Sequence, residues 1–181
     1  MTIHPQIASL KFPEPVTEND TTSYLVESLG LLEHPEGGWF RETDRSPFVM
    51  DSPYEDSKTK TRNYSTLIYY YLSPSRPRGK LHKNKSRIIH MLHRGSGTYV
   101  VLHKDGTIET FEVGHGPGQR MQWVVEGGTY KASFTHDKEG LLISEVVVPG
   151  FDFDDHNFMK SKQELVKWVG DSNAEVLQEL L

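Results

Sequence analysis

The sequence predicts an all-β protein, a double-sheeted jelly-roll barrel with short helices at its N-terminal and C-terminal ends. Three observations predict it. Short β-branched and aromatic runs recur between Trp39 and Val148, each bounded by Gly, Pro or Asp turns. No long helical pattern interrupts them, as the crossovers of a parallel sheet would. Helical spacing and capping signals are confined to the two ends of the chain.

Residues 1–20 carry Pro5, Pro13 and Pro15 among polar residues and read as an extended arm, of the kind that packs on a partner subunit. Residues 21–160 read as the barrel with a covering helix, and residues 161–181 as C-terminal helices. The covering helix is capped by Asp20, Thr21 or Thr22, repeats Tyr24, Leu25, Leu29 and Leu32 at near-helical spacing, stops at Gly30 and is expected over one end of the barrel. In HPEGGWFRETDRSPF, residues 34–48, Gly37 and Gly38 permit a tight turn into a strand with Trp39, Arg41 and Thr43 on one face and Phe40 and Glu42 on the other. Residues 51–64 are polar and read as a loop. STLIYYYL, residues 65–72, is β-branched and aromatic throughout, as a strand buried on both faces would be. TYVVLH, Lys104-Asp105-Gly106 and TIETFEV form strand, turn and returning strand, followed by MQWVV and LLISEVVVPG. Ser161 with Glu164, and Ser172 with Glu175, have capping-box spacing and start two helices separated at Gly170.

Composition excludes several functions. A formal net charge of -5 with both signs well mixed provides no basic field for nucleic acid or an anionic membrane. With no cysteine, disulfides, thiolate chemistry and sulfur-ligated zinc are all excluded. The N-terminal residues show no basic stretch followed by an apolar run, and no segment has the length of a membrane span, so a soluble cytoplasmic protein is expected. GxSxG, GxxxxGK and GxGxxG are missing, which removes ordinary serine hydrolases, P-loop enzymes and Rossmann dehydrogenases.

Two stretches organise the chain: GKLHKNKSRIIHMLHRG, residues 79–95, and VEGGTYKASFT, residues 125–135. They resemble the two half-motifs of a cupin. Counting back from Gly95 puts Ile88 at the Glu position, Asn84 at the second His and His82 at the first, while Lys131 stands where the second motif supplies its His. One of the four usual metal ligands remains, so no metal or other cofactor is expected. Together with HPEGGWFRETDRSPF, STLIYYYLSP and SEVVVPGFDFDDHNF, these stretches are similar to the cupin branch known as domain of unknown function 985 over about residues 24–170. The resemblance implies a barrel with an internal pocket, commonly a dimer, and no agreed reaction. Bacterial members often have an Asp-Glu pair where this chain has Arg87 and Ile88, so no role of that pair carries over.

His82 occupies the one preserved ligand position. If Ile88 points inward, alternation puts His90 and Leu92 on its face and His93 on the other. His82 and His90 are therefore candidate proton-transfer groups, or else groups that hydrogen-bond a ligand or a buried water. Lys131, with Thr129 and Ser133, is expected on the opposite wall, where its ammonium neutralises a ligand anion or else pairs with Glu145 or Glu42. Asn84 suits recognition of a polar ring or sits in a surface turn. Tyr70 and Tyr99, with Trp39, Tyr69 and Trp123, either stack on a flat or sugar-like ligand or build the core. FDFDDHNF, residues 151–158, reads as a capped, solvated loop rather than a metal site.

Two functions survive. One is a metal-independent isomerase, epimerase or lyase of a small polar metabolite, with His82 or His90 moving a proton and Lys131 holding negative charge. The other is a non-catalytic protein that binds a planar, nucleoside-like or sugar-like small molecule. An imidazole held by a carboxylate favours the first, and unoriented imidazoles with aromatic stacking favour the second. A homodimer is expected in either case, because the N-terminal arm and the exposed strand edges call for cover.

Overall fold

A computed structural model describes residues 2–181. Two antiparallel sheets face one another without hydrogen-bonded closure between them. The first contains β1 (Leu32–Glu33), β2 (Trp39–Arg45), β5 (Thr66–Leu72), β7 (Arg87–Gly95), β10 (Gln122–Val125) and β12 (Leu141–Val148), in the order β1-β2-β5-β12-β7-β10. The second contains β6 (Arg78–Lys83), β8 (Gly97–Leu102), β9 (Ile108–Val113), β11 (Tyr130–Phe134) and β13 (Asn157–Phe158), in the order β13-β6-β11-β8-β9. Residues 51–64, expected as a loop, instead contribute to a two-stranded hairpin of β3 (Val49–Asp51) and β4 (Thr61–Asn63).

Alternation along the strands separates three apolar clusters. Tyr70, Leu72, Leu92, Tyr99, Val101, Trp123 and Ile143 point between the sheets. Their neighbours Tyr71 and Leu142 point outward from the first sheet, and Val100, Leu102, Tyr130, Ala132 and Phe134 point outward from the second. Each outward face is covered, which is why β5 reads as a nearly continuous apolar run and β11 is buried along its whole length. On the first sheet the cover is α1 (Asp20–Ser28), whose Leu25, Val26 and Leu29 pack on Tyr71, Leu142, Trp39 and Tyr69. The helix lies on the sheet face rather than over an end of the barrel, because Tyr69 and Tyr71 present an apolar outer surface there. Its cap is Asn19, which receives the Thr22 N–H, and Tyr24 and Leu32 face solvent.

On the second sheet the cover is α2 (Lys162–Val169) and α3 (Asp171–Leu177), through Leu165, Ala174 and Leu177. Ser161 caps α2 as its spacing predicts. Ser172 does not cap α3: the helix begins at Asp171 directly after Gly170, whose φ of 79° reverses the chain and leaves no room for a separate cap residue. The N-terminal arm also differs from expectation. Ile7 is fully buried in one cluster with Leu81, Tyr130 and Leu177, and Leu10 and Phe12 pack against it, so the arm contributes to its own chain's core. Among the described residues no helix is long and apolar enough to cross a membrane.

Ile7 tests this role of the arm. Ile7→Ala is expected to lower unfolding free energy by about 2–5 kcal/mol in urea titration, the range for a buried aliphatic truncated to Ala. A change under about 0.5 kcal/mol would mean that the arm is not docked in solution.

Candidate functional site

Two polar clusters sit between the sheets. The first is built across them. Register pairs Glu145 of β12 with His90 of β7, and Lys131 of β11 points at both from the opposite sheet. Lys131 Nζ donates to Glu145 Oε1 and Oε2, each at 3.0 Å, and lies 2.8 Å from His90 Nε2. All three ammonium protons thus have acceptors, and the imidazole ring is stacked on Trp123 at 5.0 Å. Of the readings open for Lys131, the pairing with Glu145 is the one the geometry realises; Glu42 instead binds Arg45 near the surface. The ammonium is therefore not free to meet a ligand anion. Burial pushes the Glu145 carboxyl up, but Lys131 and His90 outweigh it and hold it well below the ordinary carboxylate range. Burial, reinforced by Lys131, lowers His90.

The second cluster is assembled from three distant stretches. His82 points inward from β6, while its neighbour Leu81 points out into the helix-covered core. Glu36 comes from the turn before β2. There Gly37 has φ 101°, and a Cβ on it would lie 2.1 Å from the Arg78 carbonyl oxygen, so only glycine lets this turn close on β6. The Lys80 N–H donates to the Glu36 carbonyl at 2.6 Å and fixes the approach. His156 follows a 3-10 turn at Phe153–Asp155 and precedes β13, which pairs Phe158 with His82. The FDFDDHNF stretch is capped, by Asp152, and Phe153 and Asp154 are exposed as that reading expects, but it is not solvated throughout. Asp155 is buried in an ion pair with Arg62, whose guanidinium also donates to the Gly150 carbonyl, and this anchor delivers His156 to the interior.

Within the cluster His156 Nε2 lies 2.5 Å from Glu36 Oε1, and His82 Nε2 lies 3.2 Å from Glu36 Oε2. The two rings are stacked at 5.2 Å. His82 Nδ1 lies 2.8 Å from the Lys80 carbonyl oxygen, which only accepts, so Nδ1 carries the proton. His34 Nδ1 accepts from the Glu36 N–H and sits 3.7 Å from Glu36 Oε2. Burial lowers His82 to about 4, with Glu36 opposing and Lys131 adding to the shift. Burial raises the Glu36 carboxyl, but His82, the His156 hydrogen bond and His34 bring it down to about 2. At neutral pH an ionised carboxylate thus faces imidazoles without a permanent counter-cation.

Glu36 lines a cavity of about 70 Å³ with His34, Asn84, Glu145 and Glu42 as its polar groups and Phe40, Ile68, Ile88, Val147, Phe151 and Phe153 as its apolar ones. At about 30 Å³ per water, this space takes two waters or the polar end of a metabolite, with the remainder leaving past Phe153. The Asn84 amide oxygen is buried without a hydrogen-bond partner and borders this space. Larger clefts lie on the outside, one of about 540 Å³ between the arm and residues 135–138, but they carry no such group of imidazoles.

Of the residues picked from sequence, Asn84, Glu145 and Glu42 stand on the cavity wall, and His82 lies outside the lining, against Glu36. His90 and Lys131 lie behind Glu145 in a separate network, so His82 and His90 do not share one cavity. Tyr70 and Tyr99 belong to the core, their hydroxyls bonded to the Gly37 carbonyl and to Ser133. Thr129 is buried in the turn before β11 and does not line the cavity. Sequence reasoning missed Glu36, His34 and His156. The Pro-Glu-Gly-Gly turn was the available signal for Glu36, since two glycines before a strand mark a close backbone approach.

These features define a jelly-roll protein with a polar, carboxylate-centred cavity between its sheets. The chain belongs to the cupin superfamily, in the family of domain of unknown function 985, which it matches over residues 23–159. It is 48% identical over 174 residues to an uncharacterised protein of Saccharomyces cerevisiae, covering 90% of this chain and 85% of that one. Among solved structures it resembles a hypothetical protein from Leishmania major, with TM-score 0.75, 26% identity and coverage of 87% of this chain and 97% of that one. A Shewanella oneidensis protein gives TM-score 0.72, 25% identity and coverage of 91% and 98%. A Bacillus subtilis oxalate decarboxylase shares the fold alone, at 15% identity and TM-score 0.50, over 80% of this chain and 36% of its own.

The buried pair yields two linked predictions. Lys131→Met should cost about 3–5 kcal/mol, whereas Lys131→Met with Glu145→Leu should recover most of that loss, since a lone buried charge is worse than none. Equal instability of the single and double variants in urea titration would contradict this account. Because the Glu145 pKa is depressed on folding, its contribution is complete above the ordinary carboxylate range and is lost as pH falls below it. The deficit of Glu145→Gln relative to the parent should therefore shrink between about pH 7 and pH 3.

Proposed function

We propose that the protein is an enzyme of small-molecule metabolism, of the isomerase, epimerase or lyase type, acting on a polar, oxygen-bearing metabolite. The polar end of the metabolite enters the cavity towards Glu36, His82, His156 and Asn84, and its apolar part lies against Phe40, Ile68 and Phe151. Proton transfer at a carbon beside a carbonyl takes place over the Glu36 cluster. The observation that carries this reading is that Glu36, a buried carboxylate in the cavity wall, is hydrogen-bonded to the His156 imidazole and faces the His82 imidazole just behind that wall. The buried carboxylate is costly to hold there, and a charge kept beside imidazoles at that cost supports proton-transfer chemistry.

Native mass spectrometry of the protein gently purified from its source cells identifies the bound metabolite. Incubated with the protein in deuterated water, that metabolite should gain deuterium at carbon. Glu36→Gln and His156→Gln should slow this exchange by about a hundredfold or more with little change in unfolding midpoint. His90→Gln, which lies in the buried pair's network, should mainly lower stability. A metabolite that binds but gains no deuterium with the parent protein identifies a binding protein instead.

A further inference from the structure

Among the described residues, the site around Glu36 has acceptors but no free cation. Glu36 presents two oxygens, and the Nε2 of His82 carries a lone pair once Nδ1–H is donated to the Lys80 carbonyl. Lys131 is held by Glu145 and His90. A lone pair and a carboxylate oxygen 3.2 Å apart repel unless a positive species stands between them. Two ligand atoms bound to one ion at about 2.1 Å lie about 3.0 Å apart at a right angle and about 3.4 Å apart at the tetrahedral angle. The contact between His82 and Glu36 falls inside that interval, whereas the 2.5 Å between His156 Nε2 and Glu36 Oε1 is a hydrogen-bond distance, so His156 joins the ion by giving up that proton and moving away from the carboxylate.

We propose that Glu36, His82 and His156 form a divalent transition-metal site, with His82 and Glu36 as the adjoining ligands and the remaining coordination positions open to the cavity. The three donor atoms lie within 4.8 Å of one another. Two imidazoles and one carboxylate suit zinc, manganese, cobalt or iron, and leave positions for substrate. The Nδ1–H of His82 bound to a backbone carbonyl is the support that a metal-ligating histidine usually has, since it fixes the tautomer and turns Nε2 to the ion. This set is distinct from the four usual cupin positions, of which only His82 takes part. At the others stand Asn84, Ile88 and the ammonium of Lys131, and these do not fit a cation.

The site stands on its own geometry, and it deepens the proposed function by supplying the positive charge that an oxygen at the cavity floor needs. The two are tested separately. Untagged, chelator-stripped protein titrated with Zn²⁺ by calorimetry, and with Co²⁺ by visible absorption, should take up about one ion per chain. Glu36→Gln and His156→Gln should each weaken binding by about a hundredfold or more, and His103→Gln, in an exposed His-Glu pair, should leave it unchanged. Circular dichroism establishes that the variants are folded; should Glu36→Gln fail to fold, the His156 variant decides. Absence of binding to the parent, or binding that survives both variants, overturns the proposal. So does nuclear magnetic resonance showing His82 doubly protonated at neutral pH in the presence of saturating Zn²⁺, since a proton would then occupy the gap. None of these outcomes depends on turnover, so the site can fail while the enzymatic reading stands, and the reverse.

Discussion

The ion pair between Lys131 and Glu145 is the interaction on which the interior depends. It links β11 of one sheet to β12 of the other, and it is nearly cut off from water. Desolvating both charges is expensive, and only the close, fully hydrogen-bonded geometry with His90 as third acceptor offsets that cost. The pair thereby keeps the sheets in fixed relation, and Trp123 and Tyr99 pack against the same histidine with Phe111 behind them, filling that end of the interior.

Neutralising Glu145 gives Glu36 its character. Both carboxylates border the same cavity, but only Glu145 has a permanent counter-charge. Glu36 is surrounded by His34, His82 and His156, groups that burial keeps neutral or that share its hydrogen bonds. An ionised group so placed is costly to folding and is rarely kept without use. The protein holds it there by local means: the Gly37 turn against β6, and the Arg62–Asp155 pair that anchors the segment ahead of His156.

Much of the fold was legible locally. Period-two alternation placed Ile88, His90 and Leu92 on one face, and all three are buried in that arrangement. Gly106 stands at positive φ where the β8–β9 hairpin reverses, and Gly128 where the chain crosses from β10 of the first sheet to β11 of the second. The covering layers were less legible. Tyr69 and Tyr71 alternate with Tyr70 and Leu72, yet nothing in the run says that α1 rather than solvent meets the outer pair. The arm's prolines correctly disfavoured a long helix, but Ile7 reveals its burial only when Leu177 and Tyr130 are brought beside it.

By itself, the sequence determined the class of fold and the inward direction of His82, His90 and Lys131, because each follows from spacing of two residues or from a turn of three or four, while the family came from the resemblance of its long motifs. Tertiary structure alone decided which carboxylate each cation or imidazole meets. Glu36 and His156 are 120 residues apart, and Lys131 reaches Glu145 only because two sheets face one another. Such contacts depend on the pairing of β13 with β6 and on the stacking of separate sheets, and short-range periodicity carries no information about either.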